Sequence, residues 1–178
     1  MSDQQEYIVL AAIGADKPGI VNDLSKTVTE HQGNILDSRM LAIGGEFSLV
    51  MMINGPTQQL DTITHALKAC CADLGLDALC RKTHKKGPIK GSLPYIITVV
   101  ALDHPGIVHE VTGFFAHREI NIEDLKTETY AAPLTGSPMF SLQVMVNIPI
   151  RHGLAELKEQ FFDFCDGLNL DASLEPVR

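Results

Sequence analysis

The chain repeats itself. Asp16, Pro18, Gly19, Ile20 and Val21 of DKPGIV return 87 positions later as Asp103, Pro105, Gly106, Ile107 and Val108 of DHPGIV. The same offset carries Asn34, Ile35 and Asp37 onto Asn121, Ile122 and Asp124. An offset of 93 then pairs Phe47, Ser48, Leu49 and Asn54 with Phe140, Ser141, Leu142 and Asn147, and one of 94 pairs Leu60, Cys71 and Leu76 with Leu154, Cys165 and Leu170. The jump of six falls where YAAPLTGSP lengthens the second copy, and because insertions settle in loops it locates one there. A repeat of this span decides the architecture before any local reading does. In a chain of 178 residues each half is long enough to bury its own core.

Within each half the hydrophobic period changes in a fixed order. YIVLAAI and YIITVVAL are apolar and rich in β-branched residues, which predicts buried strands. After the D-x-P-G turn, Ile20, Leu24 and Val28, or Ile107, Val111 and Phe115, recur every four residues and mark an amphipathic helix. An extended segment from Asn34 or Asn121 and a strand beginning FSL read as a hairpin. Leu60, Ile63, Leu67 and Leu74, or Leu154, Leu157, Phe161 and Leu168, then lie on one helical stripe. A last strand starts at Leu76 or Leu170. The order β-α-β-β-α-β predicts an α+β fold: two tandem ferredoxin-like units, each an antiparallel sheet with both helices on one face. The expected division is residues 1–80 for the first unit, 81–94 for a basic linker and 95–178 for the second.

That linker, RKTHKKGPIK, concentrates Arg81, Lys82, Lys85, Lys86 and Lys90 in a chain whose net charge is −8. The overall field repels phosphate backbones and anionic headgroups. The basic stretch has no interleaved aromatics on which bases stack, so direct nucleic-acid binding is not expected. Neither is a membrane span, since no apolar run approaches the roughly 20 residues that crossing needs. MSDQQEY has no cationic region followed by an apolar one and does not read as a secretory signal. Cys70, Cys71, Cys80 and Cys165 show no paired C-x-x-C spacing, which points to reduced core thiols in a cytoplasmic protein without a metal or other cofactor.

Catalysis finds little support. His104, His109 and His117 cluster in the second half, but His109 and His117 stand two helical turns apart, beyond the reach of one metal ion. The tighter i, i+4 pairing of a zinc site is absent. No nucleophile elbow, phosphate-cradling loop or dinucleotide fingerprint appears.

The repeated turn has two readings. Gly19 and Gly106 bring no side chain to block approach to the backbone, and the first amides of the helix, free of partners within it, suit a carboxylate. Alternatively, Asp16 and Asp103 accept those N–H groups themselves as caps. Asn34 and Asn121 divide in the same way: an amide that reads both a carboxylate and an ammonium group, or a residue tolerant of left-handed dihedrals at a helix end.

A β-α-β-β-α-β unit with D-x-P-G-I at its first helix and N-I at its second strand resembles the ACT domain, and both halves match. Two such units with no attached enzyme, together with ADKPGIV, NILDSRM and GGEFSLV in the first, are similar to the transcriptional repressors of the glycine cleavage system. The resemblance implies a non-enzymatic regulator that binds a small amino acid, glycine first, and acts through an activator protein. It implies ligand contacts between two units at Asp16, Gly19, Ile20, Asn34 and Ile35, with Asp103, Gly106, Ile107, Asn121 and Ile122. Lys17 against His104 and Asn22 against His109 distinguish the halves beside the turn. A ligand-independent interaction module is the alternative, and unpaired sheet edges leave room for a homo-oligomer.

Overall fold

The computed structural model describes residues 6–85, 87 and 91–177. Residues 1–5 and 178, and Lys86, Pro88, Ile89 and Lys90 of the basic stretch, lie outside the described residues. The chain divides into two compact units after Gly87.

The first unit runs β1 (Tyr7–Ala15), α1 (Ile20–Glu30), β2 (Asn34–Ile43), β3 (Glu46–Asn54), a short 3-10 turn (Thr57–Gln59), α2 (Leu60–Leu74) and β4 (Asp77–Thr83). The second runs β5 (Ser92–Leu102), α3 (Ile107–Ala116), β6 (Ile122–Ala131), β7 (Pro138–Pro149), α4 (Leu154–Gly167) and β8 (Asp171–Pro176). Each sheet is antiparallel, in the orders β2-β3-β1-β4 and β6-β7-β5-β8. Two tandem ferredoxin-like units are present, as the repeat and its periods predict.

Alternation within the strands builds the cores. Ile8, Leu10 and Ala12 of β1 and Leu49, Met51 and Ile53 of β3 turn to one side of the sheet and are buried with Leu24, Val28, Ile63 and Leu67 of the helices. The second core has the same plan with larger side chains. Phe114, Phe115, Phe161 and Phe164 form a ring cluster with centroids 5.1–5.3 Å apart, an edge and tilted packing that adds to plain area burial. At the corresponding places the first unit has Thr27, Val28, Leu67 and Cys70.

The hairpin of the first unit turns on Gly44 and Gly45, with φ of 61° and 89°, the paired left-handed geometry that keeps two twisted strands in register. The second unit replaces this two-residue turn with a loop after Ala131, closed by Ala132 N–H donating to Ser137 O at 2.8 Å. The six-residue jump therefore lies where the repeat places it.

β4 and β5 take up both ends of the segment expected as linker. Arg81, Lys82 and Thr83 pair with Val9, Ile8 and Tyr7, and Ser92, Leu93 and Pro94 pair with Pro149, Ile148 and Asn147. The charges on Arg81 and Lys82 do not prevent this, because β4 is an edge strand, and such strands accept charged side chains. Lys82 reaches Asp61 at 3.1 Å and Glu6 at 3.8 Å.

Candidate functional site

The repeated turn closes the top of each sheet. Asp16 N–H donates to Gly45 O at 3.1 Å and Asp103 N–H to Pro138 O at 2.9 Å, which pins each turn to the far end of the neighbouring hairpin. The chain then bends through Pro18 or Pro105 into a glycine that forms the helix cap: Gly19 at φ 98° and Gly106 at φ 104°. A left-handed cap explains the residue type, since a side chain is strained at such a φ. Proline thus stands one residue before the cap.

Neither helix receives a side-chain cap. Asp16 and Asp103 are exposed and leave the helix amides unoccupied by their carboxylates, so the capping alternative does not hold here. The space beside the glycines is open as well. A Cβ built on Gly106 meets nothing within 4 Å, and one on Gly19 meets only Asp23 Oδ2, at 4.0 Å. Ile20 and Ile107, the first helical residues, point into the cores. They anchor the helix start and offer a ligand only their backbone.

Asn34 and Asn121 occupy the other end of the helix. The left-handed residues that end α1 and α3 are Gln32 (φ 61°) and Glu119 (φ 55°), so the asparagines are not there to relieve backbone strain. Asn34 is exposed at the first position of β2. Asn121 is exposed just before β6, and its Nδ2 donates to Glu123 Oε1 at 2.8 Å. Ile35 and Ile122 are half-buried against the two cores.

The structure therefore splits the ten candidate residues into two groups within each unit. Asp16, Gly19 and Ile20 cluster at one end of α1, and Asn34 and Ile35 lie beyond the other. An 11-residue helix spans about 16 Å at 1.5 Å per residue. One small amino acid cannot touch both ends inside one unit.

In the second unit Asn121 and Ile122 line a cleft of about 710 Å³ with His109, Thr112, Gly113, Ala116 and His117. These helical residues follow an i, i+3, i+4 pattern and form one face of α3. Gly113 costs such a helix roughly 1 kcal/mol relative to alanine, and that glycine inside a helical pattern was the available signal for a cleft that motif reading missed. The histidines flank it; among the described residues no group of three or more His, Cys, Asp or Glu converges as a metal site.

All four cysteines are free thiols. Burial pushes Cys71 up to about 11, with Cys70 and Cys80 adding to the effect. Burial likewise pushes Cys165 up to about 11, with Asp166 contributing. Thiols held neutral in this way are poor nucleophiles.

A family model for the ACT domain matches residues 6–80. Residues 6–80, the first unit, are thus similar to an ACT domain, and the second unit repeats the strand order of the first. Over 175 residues it is 29% identical to the glycine cleavage system transcriptional repressor of Escherichia coli (strain K12), covering 97% of this chain and 91% of that protein. A crystal structure of a protein of unknown function from Galdieria sulphuraria superposes with a TM-score of 0.84 at 28% identity, over 98% of this chain and 99% of the other. A crystal structure assigned to a glycine cleavage system transcriptional repressor gives 0.73 at 26% identity, over 98% of each chain. No helix among the described residues is long and apolar enough to cross a membrane.

Proposed function

We propose that this chain is a cytoplasmic regulator of transcription that senses a small amino acid, glycine first, and acts through an activator protein instead of contacting DNA. Its likeness along nearly its whole length to a glycine cleavage system repressor supports the pathway. The observation that carries the sensing role is the uncapped helix start at Gly19 and again at Gly106, left open on the glycine side. Backbone N–H groups there suit a carboxylate, and the helix dipole favours its charge.

Each unit offers two half-sites, the amide turn and the asparagine, separated by the length of a helix. A ligand that uses both needs the complementary half from another unit. Its leverage on partner binding follows from linkage: it shifts only an equilibrium between states for which its affinity differs. Glycine lacks a side chain to fill a pocket, so its recognition rests on its two charged groups, which the amides and the asparagine answer.

Titration calorimetry with each of the twenty amino acids tests the reading. Saturable binding of glycine, or of another small amino acid, is the expected result. Absence of binding by all twenty would overturn the sensor and leave the ligand-independent interaction module.

A further inference from the structure

The helices of the first unit cover one face of its sheet, and the other face carries no helix of that unit. Strand register fixes which side chains share that free face. Its middle row, from β2 to β4, reads Arg39, Val50, Ala11 and Leu79. The next row reads Leu41, Ser48, Ile13 and Asp77, so Leu41 and Ile13 extend the apolar centre. Leu79 is 57% exposed, Ile13 51%, Val50 50% and Leu41 49%, so the apolar residues meet as one patch instead of standing singly. Contiguous exposed apolar surface of this kind marks an interaction site. The same middle row in the second unit reads Lys126, Gln143, Thr98 and Ser173, and it has no such character.

We propose that the free face of the first sheet is a self-association surface, on which two copies of the chain pack face to face about a two-fold axis parallel to the strands. Charge selects the occupant and the axis. In the row of Met52 and Val9, Asp37 stands on β2 at one edge and Arg81 on β4 at the other. The two-fold parallel to the strands lays β2 of one copy over β4 of the second, so Asp37 meets Arg81 of the second copy twice over. It also sets Val50 over Ala11 and Arg39 over Leu79, whose apolar side chain receives the long arginine stem. An axis perpendicular to the strands sets Arg39 against Arg39, a like-charge contact that costs binding. The second unit cannot pair in the favoured way, because its corners are Asp124 and Glu175, both acidic.

The face is large enough for a modest dimer. Four strands at about 4.8 Å spacing and nine residues at about 3.3 Å rise span on the order of 500 Å² per copy. The pair buries about 1,000 Å², the lower bound for a specific interface, so the dimer dissociates on dilution.

Sedimentation velocity and light scattering on the full chain, from about one to several hundred micromolar, decide the matter. The expected result is a concentration-dependent dimer that becomes monomeric in Leu79→Asp and Val50→Asp and is unchanged in Ser173→Asp, with circular dichroism confirming that each variant is folded. Arg81→Asp alone weakens the dimer about tenfold or more, and Asp37→Arg combined with Arg81→Asp restores it. A wild-type chain that stays monomeric throughout overturns the proposal, including the case in which the face binds a different protein. So does a dimer that survives Leu79→Asp, or a charge exchange that fails to restore association.

Discussion

The two units share one backbone plan and present opposite surfaces. On the first sheet the uncovered face is apolar at its centre, through Val50, Ala11 and Leu79; on the second, Gln143, Thr98 and Ser173 take the same register positions. Inside, the contrast reverses in kind: the second core is stacked with phenylalanines where the first has Thr27, Val28, Leu67 and Cys70. The turn before the first helix escapes this divergence, with Gly19 and Gly106 differing by only a few degrees in φ. The difference teaches that the free sheet face and the core packing of the two copies have diverged, while the cap glycine and its immediate geometry have not. What stays alike serves the proposed amino-acid site; what differs lets one unit associate and the other remain solvated.

The cores give the largest test of that contrast. Phe161→Ala should cost about 3–5 kcal/mol, and Leu67→Ala at the matching position about 2–5 kcal/mol with the lower half expected, both read from urea unfolding. Equal losses would show that the aromatic cluster adds nothing beyond size. Next in size is strain at the conserved turn geometry. Gly19→Val and Gly106→Val should each lose roughly 1–3 kcal/mol of stability and abolish amino-acid binding at the altered turn by calorimetry. If only one variant loses binding, the units differ in function as well as in surface. Asn34→Ala and Asn121→Ala should each weaken amino-acid binding about tenfold, or 1.4 kcal/mol, while leaving the melting temperature unchanged. Unaltered affinity in both removes the asparagines from the site.

The smallest difference is expected at the thiols, where the units agree. Cys71 and Cys165 occupy equivalent positions and are both pushed to about 11. Because the folded value lies above the 9.0 of an ordinary cysteine thiol, the folded state holds its proton longer. Their contribution to stability is complete below pH 9 and declines as pH rises from 9 to 11. Iodoacetamide labelling at pH 8 should therefore be slow at both sites relative to an unfolded control; rapid labelling of one alone would separate the units here too.

Much of the fold was legible because each element imposes its own period. Ile20, Leu24 and Val28 announce a helix, and YIVLAAI announces a strand, whatever surrounds them. The bounds of the linker were less legible. Arg81 and Lys82 belong to β4 because Val9 and Ile8 offer them partners, and charge says nothing about pairing at a sheet edge. The turn was readable as a glycine-rich helix start, but its left-handed φ and the failure of Asp16 and Asp103 to cap are outcomes of how Gly45 and Pro138 hold the backbone. The cleft at Asn121 escaped notice, since its walls are contributed by residues two turns apart on α3 and by the chain leaving it.

By itself the sequence determined that the molecule is doubled, in what order its helices and strands follow, and which side chains enter the cores, because these depend on periodicity along the chain. Only the tertiary structure decided that Asn121 and Ile122 share a cleft with the His109 and His117 face of α3. Only it decided that Val50, Ala11 and Leu79 meet on one free face between Asp37 and Arg81. The physical reason is register: residues far apart in the chain become neighbours through hydrogen bonds between strands, and no local pattern records which rung meets which.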